Sequence, residues 1–258
     1  LARHVIDFLR DNRLDYLKVD YNETIGLGCD GTESLGEGLR GQIEASTAFF
    51  ARIRRELPDL VLEICASGGH RLCHAFLELG CMASFSDAHE CDEIPVIAAN
   101  MHRMILPRQS QIWAVVKAGQ PLQKLYYQLC SGLLGRLCLS GEPDALSAEQ
   151  WAVIEQGIRF YRKAAPVIDR GETRRYGRDV PSYRAPRGWQ GLVRRGAGTT
   201  LAVVHTFAQA PGMLELPVRG TVMAVLARPG ILVQSGPALY LTGLQDFDGV
   251  AVLLKNEE

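Results

Sequence analysis

The chain has no apolar run approaching the roughly 18 residues that a membrane span requires, so no membrane association is expected. It also lacks a surplus of one charge: 28 Lys and Arg stand against 29 Asp and Glu, a formal net charge of −1. Without basic blocks, nucleic acid is not the expected partner, and a small neutral substrate fits better. The seven cysteines are odd in number, irregularly spaced and without a Cys-x-x-Cys pair. They therefore build neither a disulfide framework nor a zinc knuckle and read as reduced thiols of a cytoplasmic protein. Met is missing from the start, Leu1-Ala2-Arg3-His4, and so is the apolar core of a signal peptide, as in a piece that begins partway through a longer protein.

What is present is an ordinary globular composition, 47% hydrophobic and 22% charged over 258 residues, with one or two domains expected. Apolar residues at helical spacing over His4–Leu9 predict a helix that runs into a strand, Leu14–Val19. Leu39, Ile43, Thr47, Phe50, Ile53 and Leu57 mark a long amphipathic helix ending at Pro58. The continuous run Leu60–Cys65 predicts a strand buried on both faces. Further alternation follows: helix 72–79, strand 81–85, helix 94–106, strand 111–116, helix 122–134, strand 135–139, and a helix capped by Ser147 and running to about Ala164. These amount to five strand–helix repeats, too few to close an eight-stranded barrel. After Gly171 the texture changes to six short strands punctuated by Gly and Pro, at 189–193, 200–204, 213–216, 222–226, 239–241 and 249–253. Such spacing predicts an antiparallel sandwich, with a boundary near Ile168–Gly171.

Three predicted strand ends carry chemistry. In Lys18-Val19-Asp20-Tyr21-Asn22 an apolar run stops at three polar residues, and Asp20 there is either a loop-capping carboxylate or a catalytic one. Glu63-Ile64-Cys65-Ala66-Ser67-Gly68-Gly69 lacks the lysine of a phosphate-binding loop and the third glycine of a dinucleotide turn, but its glycines allow close ligand approach. Asp87 alone could be a helix cap; together with Asp20 it makes a pair of carboxylates, which is what glycoside hydrolysis needs. The contiguous run His89-Glu90-Cys91-Asp92-Glu93 cannot easily converge on one ion and reads as a solvated loop. His70, His74 and His102 read as packing or hydrogen-bonding residues, and Trp113 as core.

These motifs, in this order, resemble the catalytic signatures of the α-galactosidases (melibiases) of glycoside hydrolase family 36. The resemblance extends through Leu106–Val115 and Leu134–Gly141 and covers about residues 1–168. It implies an α/β fold: about strands 4 to 8 of a TIM (β/α)8 barrel in residues 1–168, followed by a C-terminal antiparallel β-sandwich in residues 169–258. It further implies a retaining, double-displacement glycosidase acting on terminal α-galactosides of the melibiose or raffinose type, with Asp20 as nucleophile and Asp87 as general acid/base. Lys18, Asn22, Cys65, Gly68, Gly69 and Arg71 would contact the sugar. No metal or organic cofactor is expected, a small oligosaccharide is the substrate, and the full-length protein would be a homo-oligomer. The family usually has Trp where this chain has Val19, and a third glycine where it has His70. Galactosyl transfer of the raffinose or stachyose synthase type and α-N-acetylgalactosaminidase activity are the neighbouring alternatives. A catalytically silent carbohydrate-binding fragment is the alternative of another class.

Overall fold

The structure, a computed structural model, describes residues 1–20, 34–88, 92–177, 180 and 182–257. Two compact units divide it, Leu1–Asp87 and Ala88–Glu258. In the first unit, α1 (Ala2–Asp11), β1 (Tyr16–Asp20), α2 (Leu35–Glu56), β2 (Val61–Cys65), α3 (His74–Leu77) and β3 (Met82–Ser84) follow one another. The three strands are parallel in the order β1-β2-β3, with Lys18 opposite Glu63, Asp20 opposite Cys65 and Ile64 opposite Ala83. Among the described residues β2 is the one strand partner of β1.

Each element has a local cause. Ile6 and Leu9 put a buried stripe on α1. Ser34 caps α2 by accepting the Glu37 amide at 3.2 Å, and α2 stops just short of Pro58, whose ring disfavours helix at the preceding residue. Phe50 of α2 is fully buried and meets Phe76 of α3 edge to face, with ring centroids 5.6 Å apart. Strand β2 is buried from Leu62 onward, in keeping with its unbroken apolar run. Helix α3 is shorter than the expected 72–79. The chain leaves β2 through left-handed backbone at Ser67 and Gly68, φ 43° and 77°, and the Leu72 amide bonds the Gly69 carbonyl at 3.2 Å, so a turn takes up the stretch before the helix.

The second unit continues the alternation with α4 (Ile94–Met101), β4 (Ser110–Val116), α5 (Leu122–Gly132), β5 (Arg136–Gly141) and α6 (Ala148–Arg170). β4 and β5 pair in parallel. Helix α4 ends at Met101, before the expected 106, whereas α6 runs six residues beyond Ala164. Ser147 and Gln150 close a reciprocal capping box at its start. Pro166 lies inside α6. Its missing N–H and ring clash cost about 3 kcal/mol in an isolated helix, but Phe160, Ala164, Val167 and Ile168 are all buried on the inner face, and that packing carries the helix through.

Antiparallel strands follow: β6 (Glu172–Gly177), β7 (Trp189–Arg195), β8 (Thr199–Thr206), β9 (Met213–Leu216), β10 (Thr221–Leu226), β11 (Leu232–Ser235), β12 (Leu239–Thr242) and β13 (Gly249–Lys255). One sheet has the order β10-β13-β8-β7-β6 and the other β11-β12-β9. Val193, Ala202, Val204, Val250 and Val252 from the first share a buried cluster with Leu214, Leu216, Leu239 and Leu241 from the second. The alternate residues of β8 and β13 are buried as well, because α5 packs against both strands. Strands β6 and β11 are absent from the six that the sequence predicts. Both are edge strands, each pairing with a single neighbour, so solvent dilutes the apolar alternation that marks an inner strand. No described helix is long and apolar enough to cross a membrane.

Candidate active site

Side chains alternate along a strand, so Tyr16, Lys18 and Asp20 share one face of β1. The parallel register sets Glu63 beside Lys18 and Cys65 beside Asp20. The result is a polar column in three levels. At the bottom the Tyr16 hydroxyl donates to Glu63 Oε2 and Ser84 Oγ donates to Glu63 Oε1 at 3.0 Å, which ties all three strands to one carboxylate. In the middle Lys18 Nζ lies 3.7 Å from Glu63 Oε1 and 3.6 Å from Asp20 Oδ2. At the top Asp20 and Cys65 are the last residues of their strands. Burial is concentrated at Glu63, which is 1% exposed, whereas the Lys18 and Asp20 side chains are each 31% exposed and Tyr16 is 46% exposed.

The electrostatics follow from this arrangement. Burial works against the Lys18 ammonium, but Cys65, Glu63 and Asp20 together outweigh it and hold its pKa above the ordinary lysine value. Burial pushes the Cys65 thiol up; the Gly68 amide and Lys18 oppose this, and Asp20, which accepts the thiol's hydrogen bond, adds to the rise. Cys65 is therefore a neutral donor at neutral pH, not a thiolate nucleophile, and its charge reaches Lys18 only in the alkaline range where both groups titrate.

The turn after β2 brings Asp87 to the same end. At Gly68 a Cβ would lie 2.5 Å from Ser86 Cα and 2.8 Å from the Asp87 amide nitrogen, and at Gly69 it would lie 2.9 Å from the Phe85 carbonyl oxygen. Only glycine lets this turn close on the segment that follows β3. Arg71 braces this turn: its guanidinium donates to the Cys65 carbonyl and lies 5.9 Å from the Phe76 ring centroid.

Of the residues singled out by sequence, Lys18, Asp20 and Cys65 form one contact group, and Gly68 and Gly69 pack against the segment 85–87 that ends at Asp87. Asp20 and Asp87 leave the C-terminal ends of β1 and β3, the two strands that flank β2. Arg71 supports the β2 terminus. Asn22 lies outside the described residues. Glu63 and Tyr16 carry no expected role in the sequence reading, yet they anchor the column. The available signal was a lone acid inside an otherwise apolar buried strand, which has to be paired.

No protein-family model matches the chain, and no curated protein matches it. Solved structures do. An α-galactosidase from Lactobacillus brevis aligns with TM-score 0.78 and 14% identity over 100% of this chain and 38% of its own. A glycoside hydrolase family 36 α-galactosidase variant from Geobacillus stearothermophilus, in complex with raffinose, aligns with TM-score 0.75 and 13% identity over 99% of this chain and 38% of its own. An Anoxybacillus α-amylase aligns with TM-score 0.61 and 11% identity over 100% of this chain and 63% of its own. The chain thus has a fold found in the family 36 α-galactosidases and spans little more than a third of their length.

Proposed function

We propose that this chain is the C-terminal part of a retaining α-galactosidase of glycoside hydrolase family 36. In this reading residues 1–168 carry about strands 4 to 8 of a (β/α)8 barrel, and residues 169–258 form a C-terminal β-sandwich. The observation that carries it is the placement of Asp20 and Asp87 after two strands that flank a common neighbour, with Lys18 and Cys65 beside the first. Two strand spacings of about 4.8 Å separate the backbones by about 10 Å, which leaves room for two inward-leaning carboxyl groups at the roughly 5–5.5 Å of a retaining enzyme.

Asp20 attacks the anomeric carbon while Asp87 gives its proton to the departing glycosidic oxygen, forming a galactosyl–Asp20 ester. Asp87, now a carboxylate, takes a proton from water, and the resulting hydroxide attacks the same carbon and frees Asp20. Lys18, Asn22, Cys65, Gly68, Gly69 and Arg71 contact the sugar, and Arg71 also holds the turn that presents the glycines. The raffinose-bound relative supports a small α-galactosyl oligosaccharide as substrate. The likeness to an α-amylase is a reminder that fold alone does not choose the sugar, so aryl α-galactoside, α-N-acetylgalactosaminide and α-glucoside are assayed side by side. In the full-length protein Asp20→Gly should abolish turnover of the aryl α-galactoside, and azide should restore part of it by standing in for the lost carboxylate. Ordinary activity in that variant would sink the assignment.

A further inference from the structure

We propose that Glu63 is the positioning residue of this site: from the interior of β2 its carboxylate holds the Lys18 ammonium back from Asp20. The proposal rests on the reading of Asp20 as nucleophile. A carboxylate that is 1% exposed is costly unless paired, and an apolar residue of similar volume would serve packing as well or better. Glu63 is instead satisfied from three sides: Tyr16 from β1, Ser84 from β3, and Lys18. The hydroxyls fix the orientation of the carboxylate; its charge is left to act on Lys18.

Lysine is a point charge on a flexible stem. With a single anion in reach its ammonium would settle on that anion. Among the described residues Nζ sits between two, 3.6 Å from Asp20 Oδ2 and 3.7 Å from Glu63 Oε1. Shared in this way, the ammonium favours ionised Asp20 without closing into a tight pair that would occupy the oxygen needed for attack. Among the described residues, groups around Lys18 include Tyr16 and Asp20 on β1 and Glu63 and Cys65 on β2, with the Ser84 hydroxyl from β3. Glu63 adds to the raised pKa of Lys18.

The test is Glu63→Gln, which keeps the volume and the hydrogen-bonding capacity and removes the charge. Lys18 is followed by NMR in protein carrying 13C-labelled lysine, with Lys18→Arg to assign its signal. In the wild-type chain Lys18 should titrate above the ordinary value of about 10.4; in Glu63→Gln it should fall towards that value. In the full-length enzyme kcat/KM for an aryl α-galactoside should drop about 10- to 100-fold, mainly in kcat, and the alkaline limb of the pH profile should move to lower pH. Glu63→Asp should recover part of both, and Tyr16→Phe, which keeps the charge, should leave the Lys18 titration high. Wild-type Lys18 titrating at or below about 10.4 would overturn the proposal without any variant having to fold. So would Glu63→Gln with unchanged kcat and pH profile but a lowered melting temperature. A wild-type enzyme inert towards α-galactosides would overturn the functional reading instead, while the Lys18 titration would still report whether Glu63 holds the ammonium.

Discussion

Arg228 and Asp248 meet side on, with Nε to Oδ1 at 2.7 Å and Nη2 to Oδ2 at 2.8 Å, and the carboxylate is 1% exposed. The same Asp248 accepts from the Gln245 amide at 2.7 Å and from Gln123 Nε2 at 2.9 Å. Arg228 also donates to the Gly243 carbonyl at 2.9 Å. The pair therefore clasps the loop after β10 and the start of β13 to α5.

Removing one partner leaves a charge without its counterion. Asp248→Ala should cost about 3–5 kcal/mol, most of it from the stranded guanidinium and the orphaned donors. Urea unfolding at neutral pH measures this directly, and a loss under about 1 kcal/mol would mean that solvent screens the pair.

Two glycines with nearly the same φ separate conformational strain from steric exclusion. Gly68 and Gly119 have φ of 77° and 76°, yet a Cβ at Gly119 meets nothing within 4 Å whereas one at Gly68 strikes Ser86. Gly119→Ala should cost about 1 kcal/mol, the left-handed penalty alone. Gly68→Ala should cost more than about 2 kcal/mol and reduce turnover as well, since the Ser86–Asp87 backbone has to shift. Equal losses in the two variants would contradict the close approach.

His205 and His102 set the response to acid. His205 is fully buried, with Nε2 at 3.2 Å from both Ser131 Oγ and the Tyr127 carbonyl, and burial pushes its pKa down to about 3. His102 also falls to about 3, through burial and then the charge of Arg194. Between about pH 6.5 and 3 the unfolded chain binds the protons that the folded chain refuses. Stability from these groups is therefore complete above about 6.5 and declines as pH falls, by up to about 1.4 kcal/mol per pH unit for each histidine. His205→Gln should reduce the slope of unfolding free energy against pH by about one histidine's share; an unchanged slope would show that His205 does not titrate in this way.

Much of this protein was legible along the chain because periodicity and punctuation are local. The run Leu60–Cys65 marked a doubly buried strand, Ser147 marked the start of α6, and the polar residues after Val19 marked the end of β1. The motifs around Asp20, Cys65 and Asp87 also motivate the paired-carboxylate chemistry proposed for them. Tertiary structure decided what depends on neighbours distant in sequence. Strands β6 and β11 have weak apolar alternation, and pairing with β7 and β12 makes them strands. Helix α6 passes through Pro166 because buried Val167 and Ile168 offset what the proline removes. Glu63 is the clearest case: alone it is a charge in the wrong place, 45 residues beyond Lys18 in the chain. The parallel register of β1 and β2 makes them adjacent, since strand pairing sets which side chains share a face and a level, and nothing in the local sequence encodes that.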